Sequence, residues 1–250
     1  MKHLLLIVLA LILNNSLAQR TKRVVVDDYD LFARHEYYVL RKDKSVKHGR
    51  YTSVWVNGSP RQEGYYNYGK KDSLWVYYHL MKPIVNSRGL YKDGNKIGVW
   101  EYFDDKGKIM NRYDHSLNYL SYTNFVDTAK THLYRLKDSL GFIDTLIQSK
   151  IDRPPIYLVG EQIIFQIIQN HIIYPQKAIG QNIYGTVRIG FFVTADGKAI
   201  DHEIIKGIGG GCDEEALRVV KLIPDEWSPA IHKGRIIEAR VVIPITFQLN

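Results

Sequence analysis

Six positions between residues 64 and 102 recur at one fixed spacing. Gly64/Gly89, Tyr66/Tyr91, Gly69/Gly94, Lys71/Lys96, Trp75/Trp100 and Tyr77/Tyr102 are all 25 residues apart. A period of this length defines a supersecondary unit that cannot bury its apolar face alone and must stack on its neighbours. Within each unit, Trp75 and Tyr77, and again Trp100 and Tyr102, alternate with other residues as one face of a β-strand does. Asn57-Gly58, Asp93-Gly94 and Lys106-Gly107 supply turn residues between the strands. A half-unit begins earlier, at His48-Gly49-Arg50-Tyr51. The spacing predicts an antiparallel hairpin sheet over residues 47–125, with the aromatic side chains stacked as its core. The competing reading of Trp75 and Trp100, as a platform for a sugar ring, fits the fixed register less well.

This unit resembles MORN-type repeats, in the variant of bacterial YwqK-like proteins, over about residues 47–110. The resemblance implies an interaction scaffold and no reaction chemistry.

From Tyr157 the pattern changes. Glu161 to His171 carries Ile164, Ile167, Ile168 and Ile172 on one stripe, which predicts a helix that Tyr174-Pro175 ends. Gly185 to Val193 alternates Val187, Ile189, Phe191 and Val193 and predicts a strand. Asp196-Gly197 is a hairpin signal, and Ala199 to Lys206 is the returning strand. A second helix is predicted from Asp213, with acidic residues at its N-terminus, and Pro224 stops it. A last strand alternates from Ile237 to Leu249; Pro244 within it cannot donate to a ladder and suggests an edge or a bulge. The fold class is therefore α+β: a hairpin-repeat sheet, then a small domain ordered helix, strand, strand, helix, strand.

Between these regions, the sequence suggests that Asp114 to Asn124 continue the sheet. Asp127 to Ser139, with Leu133, Leu136 and Leu140 near helical spacing, suggest a short helix. Ser149 to Pro155 read as a stiff linker. The organisation expected is a signal peptide at 1–18, an N-terminal segment at 19–46, repeats at 47–125, a junction at 126–155 and the α+β domain at 156–250.

The motifs of that last domain, taken in order, are similar to the TonB C-terminal domain. They are Tyr174-Pro175 with Ala178, Gly185 with Val187, Phe191, Asp196-Gly197, the run Gly209 to Ala216, Trp227-Ser228-Pro229-Ala230 and the closing Ile243-Pro244-Ile245-Thr246-Phe247. The resemblance covers about residues 157–250. It implies a periplasmic domain that binds an outer-membrane β-barrel transporter, or another envelope protein, by pairing a strand with an extended segment of it. It places the receptive edge on the last strand: Arg235, Ile236, Ile237, Glu238, Ala239, Arg240, Val241, Val242 and Ile243. Tyr174, Pro175, Gly185, Asp196, Gly197, Trp227 and Pro229 would be mainly structural. Domains of this kind exchange strands, so a dimer through the last strand is one state the resemblance implies. An energy transducer of the family also has a membrane anchor and a Pro-rich rod. Here Pro is 8 of 250 residues.

The compartment bears on the charge. Lys2 and His3 precede an apolar run from Leu4 to Leu13, and Ser16-Leu17-Ala18 follows. That is the order of a cleavable signal, with Gln19 as the mature N-terminus. An uncleaved leader would instead anchor the chain in the inner membrane. Residues 151–250 hold ten Lys/Arg and eleven Asp/Glu, so the net charge of +8 leaves +9 on residues 1–150. For a secreted chain this surplus points to anionic lipid or peptidoglycan, through residues 47–110, rather than to nucleic acid. Cys212 is the only cysteine, which excludes an internal disulfide and a cysteine metal cluster. No nucleophile elbow, zinc helix or phosphate loop is present, so the sequence implies no catalysis, metal or cofactor. Gly207 to Gly211 before a helix superficially suggests anion binding, and the simpler reading is a strand-to-helix turn.

Overall fold

The recurring Gly and Trp have one physical cause. A computed structural model describes residues 21–127, 129, 131–137 and 143–249, and in it each tryptophan ring lies flat over the glycine of the strand before it. A Cβ built on Gly64 would stand 2.3 Å from Trp75, and one on Gly89 would stand 2.3 Å from Trp100. Trp75 Nε1 donates to the Tyr65 carbonyl at 3.0 Å, and Trp100 Nε1 to Leu90 at 3.1 Å. Tyr66 meets Trp75 edge-on at 5.1 Å, and Tyr91 meets Trp100 at the same distance. Lys71 lies over Trp75 at 4.4 Å and Lys96 over Trp100 at 4.3 Å. Both rings are fully buried, which removes the sugar-platform reading. The repeated residues are a packing unit: a flat ring needs a glycine beneath it, an edge-on tyrosine beside it and a cation above it.

The strands that carry these units are β1 (Thr21–Asp28), β2 (Ala33–Leu40), β3 (Lys47–Trp55), β4 (Pro60–Asn67), β5 (Lys70–Tyr78), β6 (Val85–Lys92), β7 (Asn95–Phe103), β8 (Ile109–Asp114) and β9 (Tyr119–Thr123). They form one antiparallel sheet in sequence order. The β6–β7 turn has φ of 50° at Asp93 and 89° at Gly94, and the β4–β5 turn has 47° at Tyr68 and 82° at Gly69. Both are two-residue turns with positive φ at each position, which match the twist of a hairpin. The face opposite the aromatic one carries ion pairs across strands. Arg88 and Arg112 reach Glu101 at 2.7 and 3.0 Å and hold its carboxyl below its ordinary value.

His115 closes the aromatic row. Its Nε2 meets the Tyr102 hydroxyl at 2.9 Å, and its ring sits edge-on to Trp100 and Tyr113. Burial, with help from nearby Lys96 and against Asp114, pushes its imidazole from 6.5 down to about 4. The unfolded chain therefore takes up a proton between these values and the folded chain does not. Stability is fully present above pH 6.5 and is lost as pH falls through 4; the limit is ~3 kcal/mol. Burial also pushes His35 and His202 down, which adds in the same direction. Urea midpoints at about pH 7 and about pH 4.5 should differ in this sense, and His115→Gln should flatten the difference.

The chain divides into two compact units after Leu117. In the second, beyond β9, the elements are β10 (His132–Lys137), β11 (Ile143–Ser149), β12 (Ile156–Tyr157), α1 (Glu161–His171), α2 (Gln176–Gly180), β13 (Gly185–Val193), β14 (Ala199–Lys206), α3 (Cys212–Val220), β15 (Trp227–Ser228), β16 (Ala230–His232) and β17 (Arg235–Phe247). The main sheet runs β11-β10-β17-β13-β14, with β16 also on β17. One face is covered by helices. Val187, Ile189, Phe191 and Val193 of β13 and Ile243, Ile245 and Phe247 of β17 pack with Ile164 of α1 and Ala216 and Val220 of α3. Glu215 and Arg218 of α3 tie down the end of α1. Glu215 accepts the Ile173 N–H at 2.7 Å, and Arg218 donates to the His171 carbonyl at 2.7 Å.

The helix expected at Asp127 to Ser139 is a correction. Residues 132–137 form β10, paired with β11 and, at Tyr134 and Arg135, with β17. Tyr134 is buried with Ala230, Ile237 and Ala239, while the next residue, Arg135, lies over Phe192. That alternation is a strand's, and pairing outweighed the leucine spacing. The stretch read as a linker is packed. Ile151, Pro154 and Pro155 are buried, and Arg153 exchanges backbone bonds with Ile231 at 3.0 and 2.8 Å. The expected signal peptide at 1–18, and Leu140 of the expected helix, lie outside the described residues.

Candidate strand-pairing site

β17 changes partners along its length. Residues 239–247 pair with 185–193 of β13 without a break. On the opposite flank, Glu238 and Ala239 pair with β10, while Arg235, Ile236 and Ile237 pair with β16 in a hairpin. Beyond Ala239, no strand among the described residues pairs on that flank. Of the nine residues expected to form the receptive edge, Glu238 and Ala239 are therefore already taken there, and Arg235 to Ile237 belong to the β16 hairpin. Arg240, Val241, Val242 and Ile243 remain, and the open stretch runs on through Pro244 to Phe247.

The direction of the backbone groups on this stretch follows from the β13–β14 hairpin. Thr194 N–H donates to the Lys198 carbonyl, toward β14. The extra residues in the β13–β14 ladder lie on β14, so β13 alternates regularly from there. Its even-numbered residues face β14 and its odd-numbered residues face β17. The odd residues of β13 pair with odd residues of β17. Hence Arg240, Val242, Pro244 and Thr246 turn their backbone groups to the open flank. Two observations agree. The hydroxyls of Thr186 and Thr246 meet at 2.9 Å, as directly opposed side chains do in the closer, non-hydrogen-bonded pair. Pro244, with no N–H, sits where no ladder bond to β13 is lost. The edge expected at Pro244 is present, and the proline leaves a gap in its row of donors.

The face around this edge is charged at one end and apolar at the other. Arg135 lies 3.7 Å from the Phe192 ring centroid and reaches Asp201 at 2.5 Å and Glu238 at 3.8 Å. Arg240 also lies over Phe192, and it pairs with Glu203. Beyond them Val242, Pro244 and Thr246 are exposed. Sequence reading could not find Arg135, because it comes from a strand nearly a hundred residues away from β17.

The motif residues set the frame. The Tyr174 hydroxyl donates to the Ile183 carbonyl at 2.7 Å, and its ring meets Phe247 edge-on at 5.4 Å. Pro175 precedes α2. Gly185 opens β13 close to Ile208. Asp196 accepts from the Thr194 hydroxyl and pairs with Lys198 in the hairpin turn, and Gly197 lies against the Trp227 carbonyl. Trp227 packs on Tyr157 and Phe191, and Pro229 is fully buried. These residues hold β13 and β17 in place and leave the open flank of β17 uncovered. The glycine turn before α3 is occupied by its own chain. The Asp213 carboxylate accepts from Ile208 N at 2.7 Å and from Gly209 N at 3.1 Å. Cys212 is buried, and burial pushes its thiol up, away from reactivity.

Residues 170–249 match the family model of the Gram-negative bacterial TonB protein C-terminal. This segment is a TonB-like domain. The match begins within α1 and ends two residues past β17, so it takes in both strands of the open edge. No curated protein and no solved structure matches the chain. Among the described residues, no group of His, Cys, Asp and Glu could hold a metal ion, and no helix is long and apolar enough to cross a membrane.

Proposed function

We propose that the TonB-like domain is a periplasmic, non-enzymatic binding module. It captures an extended segment of an outer-membrane β-barrel transporter, or of a similar envelope protein, along the open flank of β17. The observation that carries this is the one-sided pairing of β17 from Arg240 onward, inside the residues that match the family model. Backbone groups at Val242 and Thr246, and the Pro244 carbonyl, would form the ladder, and the exposed Val242 side chain would select the incoming strand. The fold boundary that serves this role includes β10 and β11, since β10 marks where the open flank starts.

The test uses the full chain on outer-membrane extracts. Wild type should retain a β-barrel protein. Val242→Pro removes an outward N–H without touching the β13 ladder, so the fold should persist while retention weakens about tenfold. Retention of no β-barrel protein by the wild type, or equal retention by the variant, counts against the proposal.

A second reading rests on the charge of +9 over residues 1–150. There the hairpin sheet, of MORN type, is an envelope scaffold that binds anionic lipid or peptidoglycan. Lys71 and Lys96 lie over aromatic rings and Lys92 pairs with Asp72, which leaves less of that charge for a polymer. Salt-sensitive sedimentation with anionic vesicles separates the two readings.

A further inference from the structure

Among the described residues, the hairpin sheet begins with an edge that has charged side chains but no bulge, proline or covering strand. Exposed sheet edges are normally blunted by charged side chains, bulges, prolines or a covering element, and here only the charges are present. Of the seven pairings that join β1 to β8, six contain a register shift. The β1–β2 pairing alone is uninterrupted, through eight consecutive residue pairs. β1 reads Thr-Lys-Arg-Val-Val-Val-Asp-Asp, contains no proline, and exposes Val25 and Val26. Among the described residues no strand lies on its outer side.

The outward groups can be assigned. Leu40 N–H donates to the Val46 carbonyl, so the even-numbered residues of β2 face β3. Its odd-numbered residues then face β1, where their partners are Lys22, Val24, Val26 and Asp28. Arg23, Val25 and Asp27 are left with their N–H and C=O groups pointing away from the sheet. The Thr21 carbonyl beside them accepts from Arg41 Nε at 3.2 Å, which marks one end of the open stretch.

The charges on this stretch are arranged as a palindrome. We propose that β1 is a self-association seam, on which a second copy of this chain pairs antiparallel about Val25. In that register Lys22 faces Asp28 of the second copy, Arg23 faces Asp27, Val24 faces Val26 and Val25 faces itself. The outward-pointing residues coincide: Arg23 with Asp27, Val25 with Val25 and Asp27 with Arg23 form the hydrogen-bonded pairs, giving roughly six backbone bonds. Shifting the register by two residues keeps the bonding parity and loses the charge match. The neighbouring ion pairs extend the pattern. Arg23 pairs with Glu36 at 2.6 Å and Arg34 with Asp27 at 2.7 Å on one face of the sheet. Across the seam, Glu36, Arg23, Asp27 and Arg34 then alternate in sign, two residues from each copy. Such an interface is isologous and closes as a two-fold dimer.

Sedimentation equilibrium of the full chain tests the seam. Wild type should pass from monomer to dimer as concentration rises, less so at high salt. Val25→Pro removes only an outward N–H, so the β1–β2 ladder survives and the chain should stay monomeric. Two charge-swapped chains, K22D/R23D and D27K/D28K, should each stay monomeric and should associate when mixed. A wild type that is monomeric at every concentration overturns the proposal. So does a Val25→Pro chain that dimerises as strongly as wild type, which would place the contact elsewhere, as on the last strand. Should the proline variant misfold by circular dichroism, the swapped pair still decides: a mixture that does not associate overturns the seam.

Discussion

Gly89→Ala should cost the hairpin sheet about 3–5 kcal/mol, the loss expected when a buried tryptophan is displaced. The added methyl would stand 2.3–2.4 Å from three atoms of the Trp100 ring, inside any tolerable contact. Trp100 is fully buried, so the ring cannot swing aside without leaving the stack with Tyr91, Tyr102 and His115. Gly64→Ala should behave alike against Trp75. Gly58 is the control: its φ is positive, at 80°, unlike that of Gly64 or Gly89, and nothing lies within 4 Å of an added Cβ. Gly58→Ala should cost only the ~1 kcal/mol of left-handed backbone. Urea titrations would read all three. A double-mutant cycle adds a sharper check. Once Gly89→Ala has displaced the ring, Trp100→Ala should cost little more, so the pair should be far from additive. Additive losses would mean that glycine and tryptophan act separately.

Gly197→Ala should cost the TonB-like domain about 2–4 kcal/mol, from left-handed strain plus overpacking. The residue has φ of 77°, and an added Cβ would stand 2.4 Å from the carbonyl oxygen of Trp227. That oxygen is backbone, so no rotamer change relieves the clash. Trp227 and Ser228 form β15, paired with Ile156 and Tyr157, and the indole packs on Tyr157 and Phe191. Moving the carbonyl therefore disturbs the core beneath β13. Gly234, with φ of 70° and nothing within 4 Å, is the matched control and should lose only ~1 kcal/mol. Equal midpoint shifts for the two variants in urea would show that the Trp227 contact carries no weight.

The elements that the residues themselves announced are those with uninterrupted local periodicity. Gly185–Val193, Ala199–Lys206 and Glu161–His171 have the bounds the pattern predicts. The 25-residue spacing located the hairpins. It named Gly64 and Gly89 as recurring without revealing that each supports a ring. Residues 19–46 carried no assigned element, and they supply β1 and β2. α2 also went unread, a five-residue helix after Pro175 with too few turns for a stripe. At 127–139 the reading failed outright. Leu133 and Leu136 lie at helical spacing, while Tyr134 and Arg135 find partners at Ala239 and Glu238, a hundred residues on.

The same division runs through the candidate site. The order of motifs along the chain gave the resemblance to a TonB C-terminal domain, and local alternation gave its last strand and the proline that marks that strand as an edge. Which part of the edge is open was a tertiary decision, made by β10 as it occupies Glu238 and Ala239 and ends there. The side-chain period of a strand is a property of its own residues and is written locally. The partner on each flank is chosen by burial and backbone pairing between segments far apart in the chain, and no local pattern carries it.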